Sequence, residues 1–295
     1  MSSAPVKASL LRRHPLVTFF VLAYALTWIP VALVLVGLQL GLLPSNSPVV
    51  SITSRLISFG PAIAALIATA AVSGRAGVGQ LLRRLVQWRV GVQWYLFSVF
   101  GILVALLIGA MVMFRGAPLA ASAGQWQTVI LLFLPTVAVA AITTGLGEET
   151  GWRGFALPRL QSRHGALLAT LIVGVLWGLW HLPNVLFFHW GPQTLGLFLL
   201  ETLTDAFILT WVYNNSRGSL LPVILLHAAQ DKSFGMLGVL MPNVPADQLY
   251  VLYILVDLAL IVGIMVYTRG TMSYVANREA RDGAVDGRAI AKASV

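Results

Sequence analysis

Residues 126–153, WQTVILLFLPTVAVAAITTGLGEETGWR, join a long apolar run to a short polar end. The run Trp126–Leu146 matches the roughly 20 residues that a helix needs to cross a bilayer core. It carries no charged side chain, so it predicts a membrane-spanning helix. Two glutamates, Glu148 and Glu149, follow immediately, and Arg153 lies one helical turn further on.

Further apolar runs of similar length occur along the whole chain, which is therefore predicted to be an all-α, polytopic membrane protein. Of its residues 58% are hydrophobic and only 10% are charged, whereas soluble domains carry about a quarter charged residues. The runs define about eight predicted spans: Leu16–Leu43, Val50–Val72, Val92–Phe114, Trp126–Leu146, Ala166–Phe188, Thr194–Tyr213, Leu220–Leu240 and Leu249–Tyr267.

Basic residues gather in alternate loops, as the positive-inside rule expects of cytoplasmic segments. Arg12 and Arg13 precede the first span and Arg269 follows the last, so both termini are predicted to be cytoplasmic. This distribution explains the net charge of +9 by contact with membrane lipid and without a nucleic-acid partner. The predicted organisation is a cytoplasmic segment over residues 1–15, one transmembrane domain over 16–270 and a disordered cytoplasmic tail over 271–295.

Ionisable residues inside membrane spans are costly and are treated as functional candidates. Nearly all of them lie between residues 145 and 232. Glu149 and Arg153 are four residues apart, which places them on one helical face and predicts an ion pair. Glu148 is rotated by about 100°, so its carboxylate is free to face a cavity as a base. A cluster that only meets lipid headgroups is the alternative.

Two histidines lie in later spans. His181 lies within an apolar helix, where Asn184 could orient its imidazole. His227 and Asp231 are four residues apart and therefore share a face. A hydrogen-bonded packing role is the alternative for His181, and a self-neutralising His–Asp pair is the alternative for His227.

A carboxylate and two histidines on three helices are typical of a site that activates water, by a general base or on a metal such as zinc. A metal, if present, would be bound by Glu148, His181 and His227. Counting about 1.5 Å per residue, these residues lie at unequal depths, so helix tilt or helices extending beyond the lipid would be needed to bring them together.

Other hydrolytic sites are excluded by the sequence. The chain contains no cysteine, which rules out thiolate nucleophiles and disulfides. It also has no His-Glu-x-x-His zincin motif, no Gly-x-Ser-Gly and no Gly-x-Gly-Asp. A glutamate mechanism or a metal mechanism remains.

Three motifs in order resemble those of the CAAX protease and bacteriocin-processing (CPBP or Abi) family, which includes the type II CAAX prenyl proteases. They are Glu148-Glu149-x-x-x-Arg153, Trp177-x-x-x-His181 and His227-x-x-x-Asp231, and the resemblance covers about residues 145–231. It implies that Glu148 and His181 activate the water and that His227 stabilises the oxyanion. Glu149 and Arg153 would support them.

The chain departs from the family pattern at two positions. Trp177 replaces the usual phenylalanine, a swap of one aromatic for another. Asp231 replaces a common asparagine, and an ionised aspartate accepts hydrogen bonds but cannot donate one to an oxyanion. Either burial keeps Asp231 neutral, or it orients His227 or binds a cation. Orientation of His227 is the interpretation we favour.

Glu201 and Asp205 share one face in the middle of a span, and they are predicted to line a water-filled cavity or to share a proton. The sequence as a whole predicts an intramembrane endopeptidase that acts on peptides or membrane-associated proteins, prenylated or not. A catalytically degenerate scaffold or immunity protein and an ion-coupled transporter are the alternatives. The arginine- and alanine-rich composition favours a bacterial inner membrane, with the site open to the cytoplasm.

Overall fold

The computed structural model describes residues 10–183 and 190–275, which form helices and connecting turns without a strand. Short 3-10 segments connect some helices, and π-helical segments occur at Phe97–Gly101, Ala141–Gly145 and Trp152–Ala156. The helices in chain order are α1 (Leu10–Arg13), α2 (Pro15–Gln39), α3 (Pro48–Leu56), α4 (Gly60–Leu85), α5 (Val92–Leu96), α6 (Ile102–Met113), α7 (Ala123–Ala140), α8 (Leu146–Gly151), α9 (Leu157–Trp180), α10 (Pro192–Asn215), α11 (Leu221–Leu240) and α12 (Ala246–Tyr267).

The length and apolar surface of these helices confirm a polytopic, all-α membrane protein. Large apolar side chains point outward, such as Val21 on α2, Ile130 on α7 and Val262 on α12, each more than half exposed. Lipid-facing residues are expected to be of this kind. Six helical segments are long and apolar enough to cross a membrane: Pro15–Gln39, Pro48–Leu85, Val92–Met113, Ala123–Trp180, Pro192–Asn215 and Ala246–Tyr267.

The difference between six segments and eight predicted spans has two local causes. The segment Ala123–Trp180 is 58 residues long and covers the fourth predicted span and most of the fifth. Helix α11 is 20 residues long, but a histidine, a glutamine, an aspartate and a lysine interrupt its apolar sequence. The number of spans and the cytoplasmic position of both termini stay predictions.

A break at Gly165 explains how residues predicted at different depths meet. Gly165 has φ 75° and ψ 174°, a conformation that glycine adopts at little cost. Glu148 lies 17 residues before this break and His181 lies 16 residues after it. At about 1.5 Å per residue the two arms are equal in length, so a chain that reverses at Gly165 brings both residues to one level. The helical segment thus extends well beyond Leu146, where the fourth span was predicted to end.

Two glycines let α8 lie deep inside the bundle, where every residue from Gly147 to Gly151 is buried. A Cβ atom at Gly147 would lie 2.4 Å from the carbonyl oxygen of Ser58, and one at Gly151 would lie 2.6 Å from Cβ of Pro61. Such contacts require the backbones to move apart, so only glycine allows this approach. The close packing places two adjacent glutamates in the protein interior.

Candidate active site

The carboxylate of Glu148 faces a cavity from inside the bundle. The residue is only 3% exposed, and its Oε2 accepts a hydrogen bond of 2.7 Å from the indole Nε1 of Trp177. Among the described residues no hydrogen bond uses the second oxygen, Oε1. Because Glu148 lines the cavity, this oxygen is available to a molecule bound there.

The imidazole of His181 has one defined tautomer when it is neutral. Its Nδ1 lies 2.9 Å from the backbone oxygen of Trp177. A carbonyl oxygen only accepts hydrogen bonds, so Nδ1 carries a proton and the lone pair of a neutral ring is on Nε2. That Nε2 atom lies 3.7 Å from Oε2 of Glu148. The two acceptors therefore face each other across a gap too long for a direct hydrogen bond.

A buried chain of charges supports the second histidine. Arg153 Nη1 donates to Oε1 of Glu149 at 2.7 Å, and Nδ1 of His227 lies 2.7 Å from the same oxygen. Arg153 and Glu149 are both fully buried. The predicted ion pair between residues four apart is therefore confirmed. The contact of Glu149 with His227 joins α8 to α11 and leaves Nε2 of His227 as the free ring nitrogen.

Trp177 lies between Glu148 and the ion pair of Arg153 with Glu149. The guanidinium carbon of Arg153 is 4.4 Å from the centre of the indole ring, a distance at which a cation and an aromatic face attract each other. The ring centres of Trp177 and His227 are 5.3 Å apart. The indole therefore contacts the ion pair on one side and Glu148 on the other.

One cavity of about 410 Å³ contains the predicted site. Its polar lining includes the four predicted catalytic residues, Glu148, His181, His227 and Asp231, together with Glu201 and Asp205. Its apolar lining comes largely from α2, α3 and α10, with Val31, Val34, Val50, Ile57 and Phe198. The sequence predicted Glu201 and Asp205 in a cavity wall, and the structure places both there.

Asp231 does not orient His227, contrary to the interpretation we favoured from the sequence. Glu149 takes that contact, while Oδ2 of Asp231 accepts a hydrogen bond of 3.2 Å from the hydroxyl of Thr144. Asp231 is also exposed. Residues four apart share a helical face, but the ring of His227 turns toward α8, where the carboxylate of Glu149 is buried.

Asn184, predicted to orient His181, lies outside the described residues. The contact expected of it is made by the backbone oxygen of Trp177. This partner follows from helical geometry, because Trp177 precedes His181 by one turn and its carbonyl points along the helix axis.

A group of buried carboxyls adjoins the cavity, and the sequence had indicated only part of it. Asp205 accepts a hydrogen bond from the side-chain amide of Gln230. Asp257 is fully buried. Its Oδ2 accepts a hydrogen bond of 2.9 Å from the hydroxyl of Thr204. Asp257 was overlooked in the sequence, although it is the only charged residue of the predicted span Leu249–Tyr267, which is itself a signal of function.

The described residues do not form the three-ligand set that the sequence named for a metal, if one is bound. A catalytic zinc site needs three protein ligands. Within residues 10–183 and 190–275, no three side chains of His, Cys, Asp or Glu come close enough together to hold a metal ion. Both histidines are oriented through Nδ1 as metal ligands often are, yet the third ligand position is not formed.

The fold and the site define a membrane-embedded helical protein with a buried glutamate–histidine centre, and comparisons with known proteins agree. Residues 130–232 match the family model described as type II CAAX prenyl endopeptidase Rce1-like. This segment contains Glu148, His181, His227 and Asp231. Over this segment, which is about a third of its length, the chain is similar to the CAAX protease family.

One curated relative is CAAX prenyl protease 2 of Methanococcus maripaludis. It is 36% identical over 88 residues, which cover 27% of this chain and 32% of the relative. The match thus spans about a third of the length of that curated relative.

Proposed function

We propose that this protein is an intramembrane endopeptidase that hydrolyses peptide bonds with a water activated by Glu148 and His181. The observation that carries the proposal is the separation of 3.7 Å between Oε2 of Glu148 and Nε2 of His181 inside the cavity. A single water can lie about 2.8 Å from both atoms. It would donate one hydrogen to each, which directs its lone pairs toward a bound substrate.

In the proposed reaction, this water attacks the carbonyl carbon of the scissile peptide bond. Glu148 accepts the proton that the water loses and transfers it to the nitrogen of the leaving amine as the C–N bond breaks. His181 holds the water through Nε2. His227, when protonated at Nε2, donates a hydrogen bond to the oxyanion. Glu149 keeps the ring of His227 in place and stabilises the positive charge of the protonated imidazole.

The cavity wall supports a class of substrate. Its apolar side, formed by α2, α3 and α10, suits an apolar or lipid-modified segment, and its acidic side holds the reacting groups. We infer that the substrate is a membrane-associated peptide or protein tail, with a prenylated tail as one candidate because the curated relative is named a CAAX prenyl protease. The arginine- and alanine-rich composition favours a bacterial inner membrane, and the charge pattern of the loops favours a site open to the cytoplasm.

The test is cleavage of a fluorogenic peptide by protein reconstituted in liposomes. Glu148→Gln and His181→Ala should each lower kcat by 100-fold or more, within the range of about 10²–10⁴ that general-base catalysis contributes. Asp247→Asn and His164→Ala are matched controls, since they change the same kinds of side chain at positions away from the cavity. Wild-type turnover in both site variants would exclude the proposal.

The buried carboxyls Asp205 and Asp257, with the half-buried Glu201, favour a second candidate, ion-coupled transport, because carboxyls inside membranes often serve ion pathways. Uptake into proteoliposomes that depends on a proton or sodium gradient, and that is lost in Asp205→Asn, would support this alternative. Peptide cleavage without gradient-dependent uptake would exclude it.

A further inference from the structure

The indole of Trp177 contacts Glu148 directly. Its Nε1 lies 2.7 Å from Oε2 of Glu148, and both residues are buried, with 4% and 3% exposed. An indole N–H is a donor only, so this oxygen of Glu148 must accept. Hydrogen bonds to a carboxylate are short and about twice as strong as those between neutral groups. Glu148 is therefore held in one orientation by a donor from another helix.

Trp177 is itself held firmly. Arg153 lies over its ring at 4.4 Å, and Arg153 is fixed by its ion pair with Glu149. The backbone oxygen of Trp177 accepts from Nδ1 of His181 at 2.9 Å. One residue thus orients the glutamate with its side chain and the histidine with its main chain.

We propose that Trp177 is a positioning residue for hydrolysis. Its N–H holds Oε2 of Glu148 in place and so fixes the gap to His181 in which the water is bound, while the second lone pair of Oε2 accepts from that water. This inference rests on the proposed function, because it assigns to Trp177 a role that acts through Glu148. Trp177 need not touch the substrate for this role, so its removal should affect turnover and not binding.

Trp177→Phe is the variant that isolates the effect. Phenylalanine keeps an aromatic ring beneath Arg153 and the backbone oxygen that orients His181, and it removes the N–H donor. We expect kcat to fall about 10- to 100-fold, the range that corresponds to one hydrogen bond to a charged group. KM should change less than about threefold, since interactions that act only in the transition state leave KM unaffected.

Trp28→Phe is the matched control. The indole of Trp28 also donates to α9, at 2.9 Å to the backbone oxygen of Trp180, but it makes no contact with Glu148. The same kind of donor is lost, here between α2 and α9 and not between α9 and α8, so kcat should stay within about twofold of wild type. A similar fall in both variants would show that the loss of an interhelical hydrogen bond, and not the positioning of Glu148, lowers turnover.

The outcomes separate this inference from the proposed function. Wild-type kcat in Trp177→Phe, together with inactive Glu148→Gln, overturns the role of Trp177 and leaves the peptidase proposal standing. Full activity in both Glu148→Gln and His181→Ala overturns the inference and the proposed function together. A raised KM at unchanged kcat in Trp177→Phe would make Trp177 a substrate contact, which also overturns positioning.

A spectroscopic measurement decides the matter if Trp177→Phe does not fold. Protein labelled with ¹⁵N-tryptophan should show nine indole signals, one for each tryptophan, and the proton bonded to Glu148 should resonate downfield. In Glu148→Ala that signal should move upfield while the others stay largely in place. A spectrum in which no indole signal responds to Glu148→Ala would overturn the inference.

Discussion

Replacing each of the two adjacent glutamates by glutamine should affect stability to very different extents. Glu149 shares one oxygen with Arg153 and His227, each at 2.7 Å, in fully buried surroundings. Glu149→Gln removes the negative charge and leaves the guanidinium of Arg153 buried without a counter-charge. Breaking a buried ion pair in this way costs about 3–5 kcal/mol, a large part of a typical folding free energy of about 5–15 kcal/mol.

Glu148 is equally buried but makes no ion pair with Arg153. Its contact to a fixed group is the indole N–H of Trp177, and a glutamine in its place can accept that hydrogen bond through its amide oxygen. Glu148→Gln should therefore change the melting temperature by less than about 2 °C. Glu149→Gln should lower it by roughly 6–20 °C, from about 3–5 kcal/mol at about 2–4 °C per kcal/mol.

Thermal unfolding of both variants in the same detergent, followed by tryptophan emission, measures the difference. The double variant Glu149→Gln/Arg153→Met serves as a further control, because removing both charges removes the unpaired cation as well. It should melt above Glu149→Gln. Equal melting temperatures for Glu148→Gln and Glu149→Gln would refute the reasoning, since the loss of the counter-charge of Arg153 would then cost no measurable stability.

Two further predictions concern the chemistry of the site. Asp231→Asn should keep kcat within about threefold of wild type, because asparagine can still accept from Thr144 and an exposed charge contributes little. A rise from no cleavage in the wild type to measurable cleavage in the variant would instead favour the degenerate-scaffold alternative. Elemental analysis of purified protein should find far less than one zinc ion per chain, because no three ligands converge among the described residues; stoichiometric zinc that is lost in His181→Ala would contradict the geometry on which this expectation rests.

The sequence predicted those parts of the site that depend on helical periodicity alone. Glu149 and Arg153 are four residues apart and form the ion pair that this spacing implies. Glu148, one position earlier, points away from Arg153 into the cavity, as a rotation of about 100° requires. Both features are local, so the order of the residues is enough to derive them.

Contacts between helices could not be obtained in this way. The partner of Glu148 is 29 residues away, at Trp177, and the partner of Glu149 is 78 residues away, at His227. The spacing of His227 and Asp231 suggested a pair that the structure does not form, because helical spacing shows which side chains share a face but not which neighbour each side chain turns toward. The role of the indole N–H of Trp177 was missed for the same reason. Tryptophan in place of phenylalanine adds a hydrogen bond only where an acceptor lies within reach, and the sequence does not show that Glu148 lies there.

Membrane character, the helical fold class and the identity of the polar residues were determined by the sequence itself, because apolar length and charge distribution act on each segment separately. Tertiary structure alone decided that Glu148 and His181 face each other. The reversal at Gly165 brings two arms of equal length together, and the glycines of α8 allow the backbones to approach closely enough to bury the carboxylates. These are properties of how helices pack, and they arise only when the whole bundle is assembled.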